Sequence, residues 1–464
     1  MMRTHTCGEL RSKDIGKKVK LCGWVDTIRG HGKLNFIDIR DRYGKTQVVY
    51  IGKLDIKSEY VICAHGVVNE RKKGTENKDL GTGEIEVFSE QIDVITKSKT
   101  PPIEINDDKV AGDDARLKYR YLDLRRPKMQ KNLMFRMKVI QAIREYYFDN
   151  EFIEIETPLL VKPTPEGARD YIVPSRVNPG TFYALPQSPQ LYKQILMISG
   201  FDKYFQIARC LRDEDLRADR QPEHTQVDLE LSFVEAKDVM HMVEGMYQHV
   251  FKKVLDIELG EFKIITYDEA MKKYGTDKPD LRKNKDDPNE YAFCWVVDFP
   301  LFSYNKEEKK WDPEHHMFSS PKKEFIQTME EDPGKVKADL YDVVLNGTEL
   351  GSGSIRINDP ELQERVMNII GMSKEEAWKK FGFLLEAYEF GGPVHGGMGL
   401  GVDRLVALML GTNDIREVIA FPKNKAAQCP MDGSPAEVSE VQLKEAHIKL
   451  ELPKKEEKKV KGMK

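Results

Sequence analysis

Residues 205–230, FQIARCLRDEDLRADRQPEHTQVDLE, constrain this chain more than any other stretch. An apolar run (Phe205–Cys210) leads into a charged loop, and a second run (Thr225–Leu231) alternates apolar and polar residues with a period of two. Such alternation makes a half-buried strand, so the segment predicts two antiparallel strands with one face on a core. A hairpin tip in water is often charged, and for an arbitrary hairpin that plain reading would win. Here Arg212 follows directly on an apolar strand, where a planar guanidinium is held rigidly enough to pair with phosphate or carboxylate. Glu214 lies two residues on and, in extended geometry, points the same way. His224 opens the return strand with a flat ring. A guanidinium for phosphate, an acceptor for an amino group and a ring for stacking together predict a nucleotide site.

With 464 residues the chain has room for two or three domains. It has no apolar run of membrane-spanning length and no signal-peptide pattern at its start, so a cytoplasmic protein with no membrane partner is expected. The six cysteines form no CxxC pair and predict buried free thiols in a reducing compartment, with no zinc. A net charge of −4 does not by itself point to nucleic acid, but the first forty residues are rich in lysine and arginine. The lysine-rich end beyond Pro453 reads as a solvated tail.

Residues 1–104 hold five short β-like runs separated by Gly, Asn and Lys clusters, a pattern that suggests an OB-fold barrel. Around its second and third strands Arg29, His31, Phe36 and Gln47 set an aromatic ring among basic and amide groups, which suits stacking on splayed single-stranded bases. PPIEINDD (101–108) reads as a linker, and from Lys131 to Asn150 apolar residues recur at helical spacing before FIEIETPLL. Ser188, Gln190 and Lys193 fall at the start of a further helix, and His241 and His249 on a later one read as ordinary surface or core histidines. The glycines of GGMGLGVDR (396–404) do not match GxGxxG, which argues against a Rossmann site.

The wording RDEDLRADRQPE resembles motif 2 of class II aminoacyl-tRNA synthetases. From about residue 3 to about residue 450 the chain resembles the bacterial-type aspartyl-tRNA synthetases. The resemblance implies an α+β multidomain protein. An N-terminal OB-fold anticodon-binding barrel (1–104) and a hinge (105–130) precede a class II catalytic domain (131–430), whose antiparallel sheet is flanked by helices. Motif 1 falls at about 151–160, motif 2 at about 205–231 and motif 3 at about 396–410, with a C-terminal extension at 431–464. Motif 1 implies a homodimer. TDKPDLR (276–282) would lead into a large inserted domain, but only about residues 283–290 intervene before the catalytic residues resume.

By the same resemblance, L-aspartate reacts with ATP to give aspartyl-adenylate, and the aspartyl group passes to the 3′ end of tRNA. Arg212, Glu349 and Arg404 carry catalysis, while Glu166, Ser188, Gln190, Lys193, Arg212, Asp228, His315 and Arg356 hold aspartate, with His316 closing the pocket. Asp213, Glu214, Gln221, His224, Gly401, Val402 and Asp403, with Arg212, Glu349 and Arg404, line the ATP site. Asp342 and Glu349 match the carboxylates for Mg²⁺, a hard cation that prefers oxygen. His224 stands where the family commonly has a phenylalanine on adenine, and an imidazole there implies pH sensitivity. Arg29, Phe36 and Gln47 match anticodon contacts. His31 and Gly74 match the pair found in relaxed enzymes, which charge both tRNA(Asp) and tRNA(Asn). Asparaginyl and lysyl relatives share the architecture, but Lys193 with Arg356 and the TPEGARDY wording favour aspartate. The alternatives are an enzyme strict for tRNA(Asp) and, more remotely, a synthetase-like tRNA-binding or regulatory protein.

Overall fold

A computed structural model describes residues 2–164 and 167–452, with His31 described for its backbone only. The chain divides into two compact units, Met1–Lys131 and Asn132–Lys464. In the first, β1 (Lys18–His31), β2 (Leu34–Asp41), β3 (Gly44–Ile51), β4 (Val61–Glu70) and β5 (Ile85–Thr96) close into a barrel of order β1-β2-β3-β5-β4. Alternation along these strands turns Leu21, Val25, Ile37, Ile39, Val48, Ile62 and Val87 inward to a dry core. Closure leaves the small sheet without free edges.

The expectation of six free thiols is corrected. Cys22 and Cys63 are joined in a disulfide, because the antiparallel register of β1 and β4 sets them directly opposite each other. They are 41 residues apart in sequence, a separation that carries no spacing signal. Cys7, Cys210, Cys294 and Cys429 are free and buried. The stretch expected to be a hinge (105–130) holds two short helices, α1 (Asp113–Lys118) and α2 (Arg120–Asp123). Arg116, Arg120 and Arg126 converge there on the fully buried Asp123 at 3.0, 2.6 and 2.8 Å.

Helix α3 (Pro127–Asp149) begins four residues before the periodicity indicated. Pro127 takes the first helical position, where its missing N–H costs nothing. The second unit is then built on one eight-stranded sheet. Its strands, in chain order, are β6 (Ile153–Glu154), β9 (Lys203–Leu211), β10 (Glu223–Ser232), β11 (Lys263–Thr266), β12 (Phe293–Val297), β15 (Leu340–Leu345), β16 (Thr348–Ile355) and β17 (His395–Gly401). Two small hairpins, β7 (Ile172–Pro174) with β8 (Phe182–Ala184) and β13 (Phe302–Asn305) with β14 (Lys310–Pro313), stand apart from it. The spatial order is β11-β12-β15-β16-β17-β10-β9-β6, antiparallel except at the two outermost pairs.

The remaining helices are α4 (Gln190–Ile198), α5 (Ala236–Leu255), α6 (Tyr267–Tyr274), α7 (Pro360–Ile369), α8 (Lys374–Glu389), α9 (Val402–Met409) and α10 (Glu440–Glu445). Val239, Val243, Met246, Tyr247 and Val250 recur at helical spacing along α5 and pack with α3 and α9 in one core. Val227, Leu229, Leu231, Val343, Met398 and Leu400 supply the sheet's side of that core. The opposite face of the same strands is therefore free to be polar.

The gap where an insertion was expected is closed locally. Glu290 accepts the backbone N–H groups of Lys283 and Asn284 at 2.7 and 2.8 Å, folding residues 283–290 into a short turn that leads into β12. No helix among the described residues is long and apolar enough to cross a membrane.

Candidate active site

The polar face of the sheet is set by parity. On β10 Gln226, Asp228 and Glu230 alternate with Val227, Leu229 and Leu231, so all three point away from the core. Opposite them on β17 stand Gly401, Gly399 and Gly397 in register. These glycines keep the floor clear, since a Cβ on Gly397 would lie 2.0 Å from Glu230 Oε2. Beyond them β16 contributes Ser352 and Ser354, paired with Gly399 and Gly397, and β15 contributes Asp342, paired with Ser352.

A bulge in β16 completes this face. Val343 pairs with Gly351 but Val344 pairs with Glu349, so Leu350 is the extra residue. Without it Glu349 would fall on the core side. With it, Glu349 joins Asp342 on the polar face, and Leu350 sinks into the core.

These strands, the start of α4, and the loop between β9 and β10 enclose a cavity of about 410 Å³. Of the residues expected from the sequence, Ser188, Gln190, Lys193, Arg212, Glu214, Gln221, His224, Asp228, His315, His316, Glu349, Arg356, Gly401, Asp403 and Arg404 all line it. Asp342 lies just behind, 1% exposed, with Oδ2 3.2 Å from His315 Nε2. Glu166 lies outside the described residues.

Three residues expected at the nucleotide have side chains engaged elsewhere. Val402 opens α9 as a core residue and is 1% exposed, because the helix turns its first apolar side chain inward. Asp403 touches the cavity, but its carboxylate is occupied from behind by Arg136 and by the Thr225 N–H at 2.8 Å, so it ties α3, β10 and α9 together. Asp213 bridges to Arg169 through the backbone and does not reach the cavity.

One end of the cavity is a buried ionic cluster. Lys193 Nζ lies 3.1 Å from Asp228 Oδ1 and 3.3 Å from Glu230 Oε2. Arg356 grips Glu230 through Nε at 2.9 Å and Nη2 at 3.3 Å, and donates from Nη1 to Ser354 at 2.8 Å. That accounts for three of five guanidinium N–H donors and leaves two for a ligand. Glu230 was missed in the sequence, although its parity with Asp228 in VDLEL was the available signal. Burial alone would keep Glu230 protonated, but Arg356 and Lys193 outweigh it and hold its pKa below the usual carboxylate value. Asp228 goes the other way: burial raises its pKa, and Lys193 only partly offsets this.

Five buried polar atoms here lack a partner: Gln190 Nε2, Asp228 Oδ2, His315 Nδ1, His316 Nε2 and Asp342 Oδ1. Unsatisfied buried groups are rare in folded proteins, and several at one cavity mark where a polar ligand completes the hydrogen bonding. His316 is held neutral, with its pKa lowered to about 3 by burial and by Arg356. His315 moves upward instead, since the Asp342 carboxylate outweighs its burial.

At the other end Arg212 donates from Nε to the Gln187 carbonyl at 3.4 Å, Glu214 pairs with Arg220 at 3.0 Å, and Arg404 donates to the Glu349 carbonyl at 3.0 Å. His224 stands among Arg212, Arg404 and Arg209. Burial and the Arg212 charge lower its pKa to about 3, which moves the pH sensitivity expected of this ring well below neutrality. Lys278, also unforeseen, places Nζ 2.8 Å from Glu349 Oε2.

Residues 112–425 match the family described as tRNA synthetases class II (D, K and N), and residues 19–95 match the OB-fold nucleic acid binding domain. The chain is 45% identical to the Aspartate–tRNA(Asp/Asn) ligase of Caldanaerobacter subterraneus subsp. tengcongensis, over 97% of this chain and 99% of that one. It belongs to the class II aspartate–tRNA ligases.

The similarly named ligase of a Thermoanaerobacter species (strain X514) is 43% identical over the same shares. Both alignments run over 585 positions against 464 residues here, so the relatives carry residues that this synthetase lacks. Among solved structures, asparaginyl-tRNA synthetase from Pyrococcus horikoshii, complexed with asparaginyl-adenylate, superposes with a TM-score of 0.72 at 25% identity, over 91% of this chain and 98% of that one.

The synthetase's barrel presents a second polar face. Register pairs Arg29 with Phe36 and Asp38 with Gln47, so all four share one side of β1, β2 and β3. Arg29 contacts Asp38 and Gln47 at 3.2 Å each, and Gln47 donates to Glu86 at 2.8 Å. Gly74 turns with φ +88°, its N–H donating to Glu76, and no atom lies within 4 Å of a Cβ placed there. His31 ends β1, its backbone opposite Leu34.

Proposed function

We propose that this synthetase activates L-aspartate with ATP and transfers the aspartyl group to both tRNA(Asp) and tRNA(Asn). The observation that carries the aspartate reading is the buried Lys193–Glu230–Arg356 cluster beside the unpartnered Asp228 Oδ2. The Arg356 guanidinium, with donors to spare, and the positive charge of Lys193 beside it suit the substrate's side-chain carboxylate, and Asp228 with Gln190 suits its α-ammonium. The cavity continues from the amino-acid end to His224, Arg212 and Arg404, where a nucleotide would lie. The aspartate α-carboxylate attacks the α-phosphate in line, pyrophosphate leaves, and Arg212 lies between the two ends to align them and offset developing charge. The chain needs no covalent nucleophile for this step.

Class II synthetases generally use ATP with Mg²⁺. The donors fit such an ion: Asp342 and Glu349 are hard oxygen groups on one face, and Asp342 Oδ1 is buried without a partner. When bound, the ion would screen phosphate charge. Among the described residues no group of three or more His, Cys, Asp or Glu could hold a metal. We place the protein in the cytoplasm as a homodimer, with the exposed Phe148, Ile153, Leu159 and Leu160 around motif 1 as the apolar surface a second subunit covers.

Relaxed tRNA choice rests on His31 and Gly74 and on the names of the relatives, which specify Asp/Asn. Gly74 supplies no side chain to obstruct a base, and specificity of this kind comes as much from obstruction as from attraction. Aspartate-dependent ATP–pyrophosphate exchange tests activation. Charging kinetics on purified tRNA(Asp) and tRNA(Asn) test the choice, with comparable kcat/KM expected, and a strong preference for tRNA(Asp) would return the strict reading.

A further inference from the structure

Lys278 has no role in the chemistry above, yet it is delivered to the cavity by a built segment. Its backbone N–H donates to Thr276 Oγ1 at 3.1 Å, and two residues on Asp280 is locked to Arg282 at 2.8 Å. The segment packs on the β15–β16 turn, where a Cβ on Gly347 would lie 3.3 Å from Asp280 Cβ and 3.8 Å from the Lys278 carbonyl oxygen. From this position the ammonium reaches Glu349 Oε2 at 2.8 Å, with the lysine side chain 41% and the glutamate side chain 25% exposed.

Glu349 and Asp342 share one face because of the Leu350 bulge, and two carboxylates so placed repel each other. In this arrangement the Lys278 ammonium lies against Glu349 and the His315 ring lies against Asp342. A divalent cation arriving alone must displace an ammonium and leave it unpaired. One arriving with a triphosphate brings fresh negative charge with which the displaced ammonium can pair. We propose that Lys278 is a resident counter-cation that closes the Asp342–Glu349 pair to a bare divalent cation, so that the pair takes up metal only together with nucleotide. This rests on the reading of those two carboxylates as the metal-binding pair, and it makes Lys278 a positioning residue for that uptake.

The test is titration of the full chain with Mn²⁺, free ion being counted by its paramagnetic resonance signal, without nucleotide and then with ATP. Without nucleotide, Lys278→Gln should bind Mn²⁺ roughly tenfold more tightly than the unmodified protein. Lys278→Arg, which keeps the charge, should behave as unmodified, and adding Glu349→Gln to Lys278→Gln should abolish the gain. With ATP present the difference should shrink. Equal Mn²⁺ affinity of the unmodified and Lys278→Gln proteins, both folded by thermal melting, overturns the role given to the lysine. In that event Glu349→Gln alone, titrated with ATP present, judges the underlying reading: lost Mn²⁺ binding keeps the carboxylate pair, and unchanged binding removes it.

Discussion

Glu230 neutralises two buried cations at once, and its removal should be felt in both folding and binding. Glu230→Gln keeps the shape but strips Arg356 and Lys193 of their shared carboxylate. Breaking a buried pair by removing one partner costs about 3–5 kcal/mol, so the denaturation midpoint should fall sharply and the KM for aspartate should rise while that for ATP holds. An unchanged midpoint would show that the cluster is not buried in solution. His316 and His224 make the second prediction. Each has its folded pKa lowered to about 3, against about 6.5 when unfolded. The stability they contribute is complete above about pH 6.5 and is lost as pH falls from there toward 3, at about 1.4 kcal/mol per pH unit for each group. Chemical denaturation at pH 7 and pH 5 should therefore show a marked loss that His316→Gln reduces, whereas the KM for ATP stays level between pH 6 and 8. Most of the lining residues were legible in the sequence because motif 2, the Lys193 helix and the Arg356 strand carry them in recognisable wording. Glu230 was marked only by its parity with Asp228, and Lys278 by nothing, since each acts on another protein side chain and partners far apart in sequence leave no spacing.

At the scale of strands, β16 and β17 show how backbone form sets the chemistry. Gly397 exists to leave room: a methyl there would press on Glu230 Oε2 and on the Leu229 carbonyl at 2.0 and 2.1 Å. Gly397→Ala should cost about 1–3 kcal/mol of stability and weaken aspartate binding, measured by thermal melting and by aspartate-dependent exchange. Gly74→Lys is a different case, because space is open but φ is +88°, so the side chain imposes backbone strain rather than a clash. The strands themselves were readable from alternation, including all five of the barrel. The bulge at Leu350 was not, because an extra residue in TELGSGSI looks like any other apolar position until its partner strand is in place. The burial of the Val402 side chain was hidden for a related reason, as the sequence names the motif but not which way the first turn of α9 faces. Cys22 and Cys63 likewise meet only through register.

Across the whole chain, the two units predict separable losses. If Phe36 stacks on a base as proposed, a contact worth about 1–3 kcal/mol, Phe36→Ala should raise the KM for tRNA about tenfold or more and leave aspartate-dependent ATP–pyrophosphate exchange untouched. Loss of exchange in that variant would contradict the division of labour. The two-unit organisation was readable because β-run spacing changes to helical spacing near residue 130, and so was the absence of an insertion. What the sequence could not reveal is how the shortened chain ends its gap, which depends on one carboxylate capping two amides. That small turn has a practical side. Residues 283–290 lie between strands β11 and β12, which pair side by side in parallel through backbone hydrogen bonds that do not run through the turn. The turn is thus a natural seam. Severed there, the enzyme should become two polypeptides, one carrying the barrel and Arg212 and the other carrying Glu349, Arg356 and Arg404, each silent alone in aspartate-dependent exchange and active when mixed.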